Sequence, residues 1–361
     1  MYLKNIECNN YRNLNNLELS FSKKMNVFIG QNGQGKTNLL EAIYFLSLTR
    51  SFKTNKTSDI IAFNQEEFFL SANLVKNEFP YHIEILLNDK KRTIAINKNS
   101  ESKFKDVIGL LNAILFVPED LQLLKGNPKL RRKLYDVELA KLYPRYLVAL
   151  SSYYQILKQR NSYLKLNNLD DMLLDSLDLK LAEYGSILLD YRLEFTNDLT
   201  IIVNDIYQNL SKSADKVVMK YHSTATKDEL SFYDNLKKAY DRDIFLQQTN
   251  VGVHRDDLIV YLNDKDASIY GSQGEQRTII LAIKLALVTY IYQITNEYPI
   301  LLLDDVMSEL DNERQENLIK YLNKDIQTFI TTTNVNSLQA DIINKAKLFS
   351  IDKGIVKEAK L

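Results

Sequence analysis

The 361-residue sequence predicts an α/β fold whose two sheet-building halves are separated by a mainly helical arm. Three observations carry this expectation. An apolar strand, MNVFIG, runs into the octet Gly30-Gln31-Asn32-Gly33-Gln34-Gly35-Lys36-Thr37 and then into a breaker-free helix, TNLLEAIYFLSL. Far downstream, Pro299-Ile300-Leu301-Leu302-Leu303 is the unbroken apolar run expected of a strand buried on both faces, and it ends in Asp304 and Asp305. Between them, from Pro118 to Lys216, the chain is rich in Leu, Lys, Tyr, Asp and Ser with few breakers, as in helices. The expected division is an α/β domain at 1–117 and 246–361 and a helical arm at 118–245.

Taken in order, YLKNIEC, LNNLELSF and MNVFIG read as strands separated by Asn- and Lys-rich turns. In the helix after the octet, Leu39, Leu40, Ile43, Tyr44 and Leu46 share a face. FFLSANLV, YHIEILLN and RTIAINKN suit antiparallel hairpins. In the arm, Pro144 kinks or divides the first long helix, and the apolar period is not a sustained heptad, so a long coiled coil is not expected. VVMKYHS, NVGVH, LIVYLN and TFITTT read as further strands, with a helix near 227–246 and a long apolar helix from Gly274. Lys plus Arg and Asp plus Glu both number 46, so any nucleic-acid contact must come from a local patch. The one cysteine, Cys8, sits in a strand-like stretch and has no internal disulfide partner. The N-terminus has no basic region followed by an apolar core, and no apolar run approaches bilayer-spanning length, so a cytoplasmic protein is expected.

The octet fits GxxxxGK[ST] in the strand-to-helix setting that makes it a phosphate-binding loop. Its glycines let successive backbone N–H groups face phosphate oxygens, and the helix N-terminus adds positive potential. Lys36 is expected to reach the β- and γ-phosphates of ATP, and Thr37 to offer its hydroxyl to Mg²⁺. Asp304 then holds Mg²⁺ through water or Thr37, and Asp305 orients or deprotonates the attacking water. By itself the acidic pair would be no more than the solvated exit of a core strand. Gly271-Ser272-Gln273-Gly274-Glu275-Gln276-Arg277 opens a helix apolar nearly all round, TIILAIKLALVTYIYQ. This resembles the LSGGQ-type signature of ABC ATPases, with Ser272 and Gly274 at its serine and second-glycine positions, while Gly271, Gln273 and Glu275 depart from it. An N-capped helix needs no ligand to explain it, but it comes before the acidic strand in that family's order and spacing. One ATP has no use for two phosphate sites in one subunit, and the resemblance implies that Ser272 caps the ATP of a partner subunit in a homodimer, as the signature does in ABC ATPases. Ser308-Glu309-Leu310-Asp311 matches the D-loop, and Thr332 or Thr333 fills the place of the switch histidine.

YLKNIECNNYRNL, VPEDLQLLKGNPKLRRKLYD, AEYGSILL, GVHRDDL, YGSQGEQRT and LLLDDVMSELD, in that order across nearly the whole chain, are similar to the RecF family of bacterial DNA-repair proteins. The resemblance implies a P-loop ABC-type ATPase head with the arm as a second lobe. It also implies an ATP-dependent DNA-binding dimer that works with RecR and RecO at gaps and single/double-strand junctions. There it helps RecA load on single strands, and weak, DNA-stimulated hydrolysis resets it. Candidates for DNA contact are Arg50, Lys53 and Lys56, and Lys129, Arg131, Arg132 and Lys133 on the arm, where cations neutralise phosphates without regard to sequence. Such runs are also ordinary solvated faces. Arg12 is a candidate nucleotide contact and Glu119 a candidate for the Q-loop region. His254, Arg255 and Asp256 either order a loop or meet nucleotide or partner. A transporter subunit fits less well because the signature is imperfect and the switch histidine absent. A Rad50-like ATPase lacks its long coiled coil here, and a nucleotide-gated scaffold with slow turnover stays open because Asp305 is one methylene shorter than glutamate.

Overall fold

The apolar strands of the sequence lie side by side. In the computed structural model, which describes residues 1–88, 91–100, 102–166, 168–309, 312–322, 325–334, 338 and 340–359, they form a six-stranded sheet. Its order is Ile355–Ala359, Ala346–Asp352, Met25–Ile29, Thr328–Thr332, Ile300–Asp304, Ala113–Phe116. All pairings are parallel except that of the edge strand Ile355–Ala359. Every residue of Ile300–Asp304 and Thr328–Thr332 is buried, as a strand covered on both faces requires. Register sets Asp304 beside Thr331, and Thr332 beside Ile29. The carboxyl ends of three strands thus emerge together, where ligands bind in open α/β sheets.

A second, antiparallel sheet has the order Leu17–Ser20, Tyr2–Asn9, Glu67–Lys76, Phe79–Asn88, Arg92–Ile96. Helix Lys36–Leu48 contributes Leu39, Leu40, Ile43, Phe45 and Leu46 to a core shared with both sheets. Each such side chain stabilises by about 1.5–3 kcal/mol when fully buried, which holds the glycine loop at the head of this helix.

Residues Met1–Asp120 and Leu287–Leu361 form one compact unit, and Leu121–Ala286 the other. The second unit carries helices Pro128–Leu142, Pro144–Tyr163 and the 41-residue Asp171–Ser211, with a small sheet of Lys265–Asp266, Asp257–Leu262 and Val217–His222. Pro144 divides the helices because it has no N–H to continue the first and a φ suited to starting the next. The expected boundary at 245 differs from this division: Asp257–Leu262 pairs with Val217–His222, so 246–286 joins the arm. NVGVH is not a strand either; it turns at Gly252, whose φ is +133°. The expectation that no apolar run approaches spanning length also fails, since Gln273–Thr295 qualifies by length and composition. With 72% of its most apolar window buried, it is a core helix.

Candidate functional site

Between Met25–Ile29 and helix Lys36–Leu48 two positions leave no place for a side chain. A Cβ on Gly30 would lie 2.4 Å from the Ile351 carbonyl oxygen, and Gly35, at the helix start, has φ +114°. Those two positions need glycine on steric and conformational grounds. The Lys36 ammonium donates to the carbonyls of Gly30 (2.6 Å) and Gln31 (3.0 Å), so it is held against the loop rather than extended into water. Burial lowers its pKa, against the opposing pull of Asp305 and Asp304. Behind the loop, the Gln34 carbonyl accepts from Asn13 Nδ2 (3.2 Å) and from the Gly354 N–H (2.8 Å), and the Gln34 side chain from the Lys353 N–H (2.6 Å).

At the end of the loop, Thr37 Oγ1 donates to Asp304 Oδ1 at 3.0 Å, a contact spanning 267 positions of sequence. Burial raises the Asp304 pKa, against the hydroxyls of Thr331 and Thr37. Asp305 follows in the left-handed region, φ +55°, and its N–H donates to Thr331 Oγ1 at 2.9 Å. Lys36, Thr37, Asp304 and Asp305 line a cleft of about 630 Å³ together with Asn32, Gly33, Gly35 and Glu119, all within the first unit. The size suits a small ligand, and the donors suit an anion: backbone N–H groups, an ammonium and, for a divalent cation between ligand and protein, hard oxygen atoms.

The remaining residues singled out in the sequence divide into those the cleft gathers and those it does not. Lys53, assigned to DNA, lines the cleft instead; its ammonium donates to Asn38 Oδ1 at 3.1 Å, and burial lowers its pKa. The cause is the turn after helix Lys36–Leu48, which brings the chain back past Asn38. Glu119 also lines the cleft. Arg12 does not; its guanidinium holds the buried Glu41 carboxylate and donates to the Asp59 carbonyl at 2.9 Å. Arg50 lies 5.2 Å from the Phe104 ring centre and Lys56 is exposed. Of the strand that ends in the expected switch position, Thr332 or Thr333, Thr331 meets both acids and the Thr332 hydroxyl bonds the Asn334 backbone. Of the expected D-loop, Ser308 and Glu309 follow in a short 3-10 turn, and Leu310 and Asp311 lie outside the described residues.

In the second unit Ser272 is exposed at the head of its helix. Its N–H donates to Glu275 Oε2 (2.7 Å) and its hydroxyl accepts from the Glu275 N–H (3.3 Å), a reciprocal cap that a phosphate oxygen could replace. The arm cations separate. Arg131 pairs with Asp257 (2.6 Å) and donates to the Gly126 carbonyl (2.7 Å), and Arg132 donates to the Asp256 carbonyl. Both were assigned to DNA, yet their guanidinium groups tie helix Pro128–Leu142 to the strand at Asp257–Leu262. Lys129 and Lys133 are exposed. His254 Nε2 faces the Thr249 carbonyl (3.0 Å), which can only accept, so Nδ1 accepts from the Tyr153 hydroxyl (2.8 Å). Burial pushes its pKa down to about 4. Of the two roles left open for this residue, loop ordering is the one its bonds display. Sequence reasoning missed Lys53 at the cleft and, behind its lining, Asn13 on the Gln34 carbonyl and Thr331 on Asp304; each lies within a few residues of a recognised motif, but none has a spacing signal of its own.

The family model described as RecF/RecN/SMC N terminal domain matches residues 2–356. The DNA replication and repair protein RecF of Streptococcus gordonii is 43% identical over 363 residues, covering 99% of this chain and 100% of its own. That of Streptococcus suis is 42% identical over 366 residues, covering 100% of both. A solved structure of the recombination mediator protein RecF-ATP in the RecFOR pathway superposes with TM-score 0.92 at 33% identity, over 99% of this chain and 98% of that one. An Smc head bound to the C-winged helix domain of ScpA shares the fold, with TM-score 0.58 at 15% identity over 100% of this chain and 98% of that one.

Proposed function

The chain belongs to the RecF family of DNA replication and repair proteins, and on that premise we propose that it is an ATP-driven clamp whose closure on DNA is timed by hydrolysis. The observation that carries this reading is the meeting of Thr37 with Asp304 at 3.0 Å in a cleft headed by the glycine loop and Lys36. The loop N–H groups and Lys36 bind the phosphates. Thr37 and Asp304 supply oxygen donors for Mg²⁺, which neutralises phosphate charge when bound. Among the described residues no cluster of three or more His, Cys, Asp or Glu could cage a metal by itself, so phosphate and water oxygens would complete its coordination. Asp305 orients the attacking water, and its short side chain gives weak turnover suited to a switch. Lys53 adds a second cation to the same ligand.

Ser272 and Gly274 cap the ATP held by the other copy, with the Ser272 N–H leaving Glu275 for the γ-phosphate. Closure creates the surface that grips duplex DNA or a single/double-strand junction, with Arg50, Lys56, Lys129 and Lys133 as its exposed cations and hydrolysis stimulated by the DNA. RecR meets this closed dimer, and with RecO it directs RecA to single-strand gaps in the cytoplasm. Support comes from the RecF relatives, one of them solved as RecF-ATP in the RecFOR pathway.

The test is Ser272→Arg. A bulky cation at that helix start should leave ATP affinity of the monomer within about twofold while abolishing ATP-dependent dimerisation, read by light scattering. A mixture of Lys36→Ala and Ser272→Arg chains puts both lesions in one composite site and leaves the other whole, so it should regain hydrolysis that neither variant has alone. Parental dimerisation by Ser272→Arg would show that the signature assignment is wrong.

A further inference from the structure

Thr331 is fully buried inside strand Thr328–Thr332, beside Asp304 in register, and its hydroxyl meets both acids, with the Leu303 carbonyl a more distant acceptor at 3.4 Å. Oγ1 lies 2.8 Å from Asp304 Oδ1 and 2.9 Å from the Asp305 backbone nitrogen. An amide N–H can only donate and an ionised carboxylate only accept, so the roles are fixed: the hydroxyl accepts from Asp305 and donates to Asp304. Thr37 donates to the same Oδ1 from the opposite side of the cleft. One hydroxyl therefore ties the carboxylate of the first acid to the peptide of the second. That peptide needs tying, because Asp305 has φ +55°, a region in which a residue with a Cβ persists only when its surroundings hold it. Thr332, one position on, turns its hydroxyl to the Asn334 backbone.

We propose that Thr331 is a positioning residue of the hydrolytic site: it aims Asp304 at the Mg²⁺ position and holds Asp305 in its left-handed turn, while itself lining neither the loop nor the cleft. The proposal rests on the reading of the cleft as an ATP site. Residues that orient a metal's own ligand typically alter metal affinity by about 10–100-fold when removed, although they touch no metal.

The experiment compares Thr331→Val, which keeps the shape and loses both bonds, with Thr331→Ser, which keeps both bonds and loses a methyl. Three readouts apply to the full chain: hydrogen exchange of the Asp305 amide without nucleotide, binding of a fluorescent ATP analogue across a Mg²⁺ titration, and kcat. Thr331→Val should expose the Asp305 amide to exchange and bind the analogue without Mg²⁺ within about twofold of the parent. It should need about 10–100-fold more Mg²⁺ for the metal-dependent increase in affinity, with kcat reduced by a similar factor. Thr331→Ser should restore all three to within about threefold. Should Thr331→Val not accumulate folded, Thr331→Ala makes the same comparison. A valine or alanine variant with parental exchange and Mg²⁺ dependence overturns the proposal, and so does a serine variant as impaired as valine, because the methyl and not the hydroxyl would then be the agent. A parent that binds no ATP analogue overturns the site reading instead.

Discussion

In the first unit Lys36, Lys53, Asp304 and Asp305 line an open cleft, whereas in the second Arg160 and Arg192 are fully buried and each meets two carboxylates. Arg160 bonds Asp178 and Asp243. Arg192 bonds Asp136 (2.7 Å), the Tyr146 and Tyr221 hydroxyls and the Val253 carbonyl (2.8 Å). Burial raises the pKa of Asp178 and Asp256 even with these cations near, the sign of a desolvation cost that their mutual contacts must offset. The same residue types thus serve opposite purposes. At the cleft, polar groups are arranged for a ligand that completes them; in the arm they complete one another and fix how helices Pro128–Leu142, Pro144–Tyr163 and Asp171–Ser211 meet. A charge that is satisfied inside the protein stabilises geometry, and a charge left facing a cleft is available for binding.

That contrast can be broken most sharply at Arg192. Arg192→Met takes away the buried cation that Asp136 and Asp256 share, and one-sided removal of a buried pair costs about 3–5 kcal/mol. Urea unfolding should show that loss, while ATP affinity of the first unit, measured on folded protein, should not move. A loss below about 1 kcal/mol would mean the network is dispensable.

Lys36→Ala should do the reverse. It removes one charge-assisted contact of about 1.5–3 kcal/mol, so ATP affinity should fall about 10–100-fold by calorimetry. Stability should scarcely change, since the ammonium is desolvated where it stands. Unchanged ATP affinity would sink the role of Lys36.

The smallest effect concerns pH. His254 has its pKa lowered to about 4 in the fold, against 6.5 ordinarily. Between those values the unfolded chain binds more protons, so stability is complete above pH 6.5 and falls as pH drops through the window. At pH 5 the loss should be about 1–2 kcal/mol after allowance for partial solvent access. His254→Gln should flatten the slope of stability between pH 7 and pH 5, and an unaltered slope would assign the effect to another group.

The contiguous features were legible in the sequence. A phosphate loop needs consecutive N–H groups ahead of a helix, a buried parallel strand needs an unbroken apolar run, and a helix start needs a capping residue. Each is a local requirement written in neighbouring positions, at Gly30–Thr37, at Ile300–Asp304 and at Ser272. The positively charged runs were not legible in the same way. Lys53 and Arg131 look alike in sequence, each beside further basic residues, yet one enters the cleft and the other pairs with Asp257 across 126 positions.

Sequence alone therefore determined the glycine loop, the buried acidic strand and the order in which the motifs follow one another. Tertiary structure alone decided which threonine holds the two acids, which arginines are bolts, and that residues 246–286 go with the arm. The physical reason is that these outcomes depend on which strands become neighbours. Thr331 is adjacent to Asp304 only because Thr328–Thr332 inserts between Met25–Ile29 and Ile300–Asp304, and no residue pattern within either strand encodes that pairing.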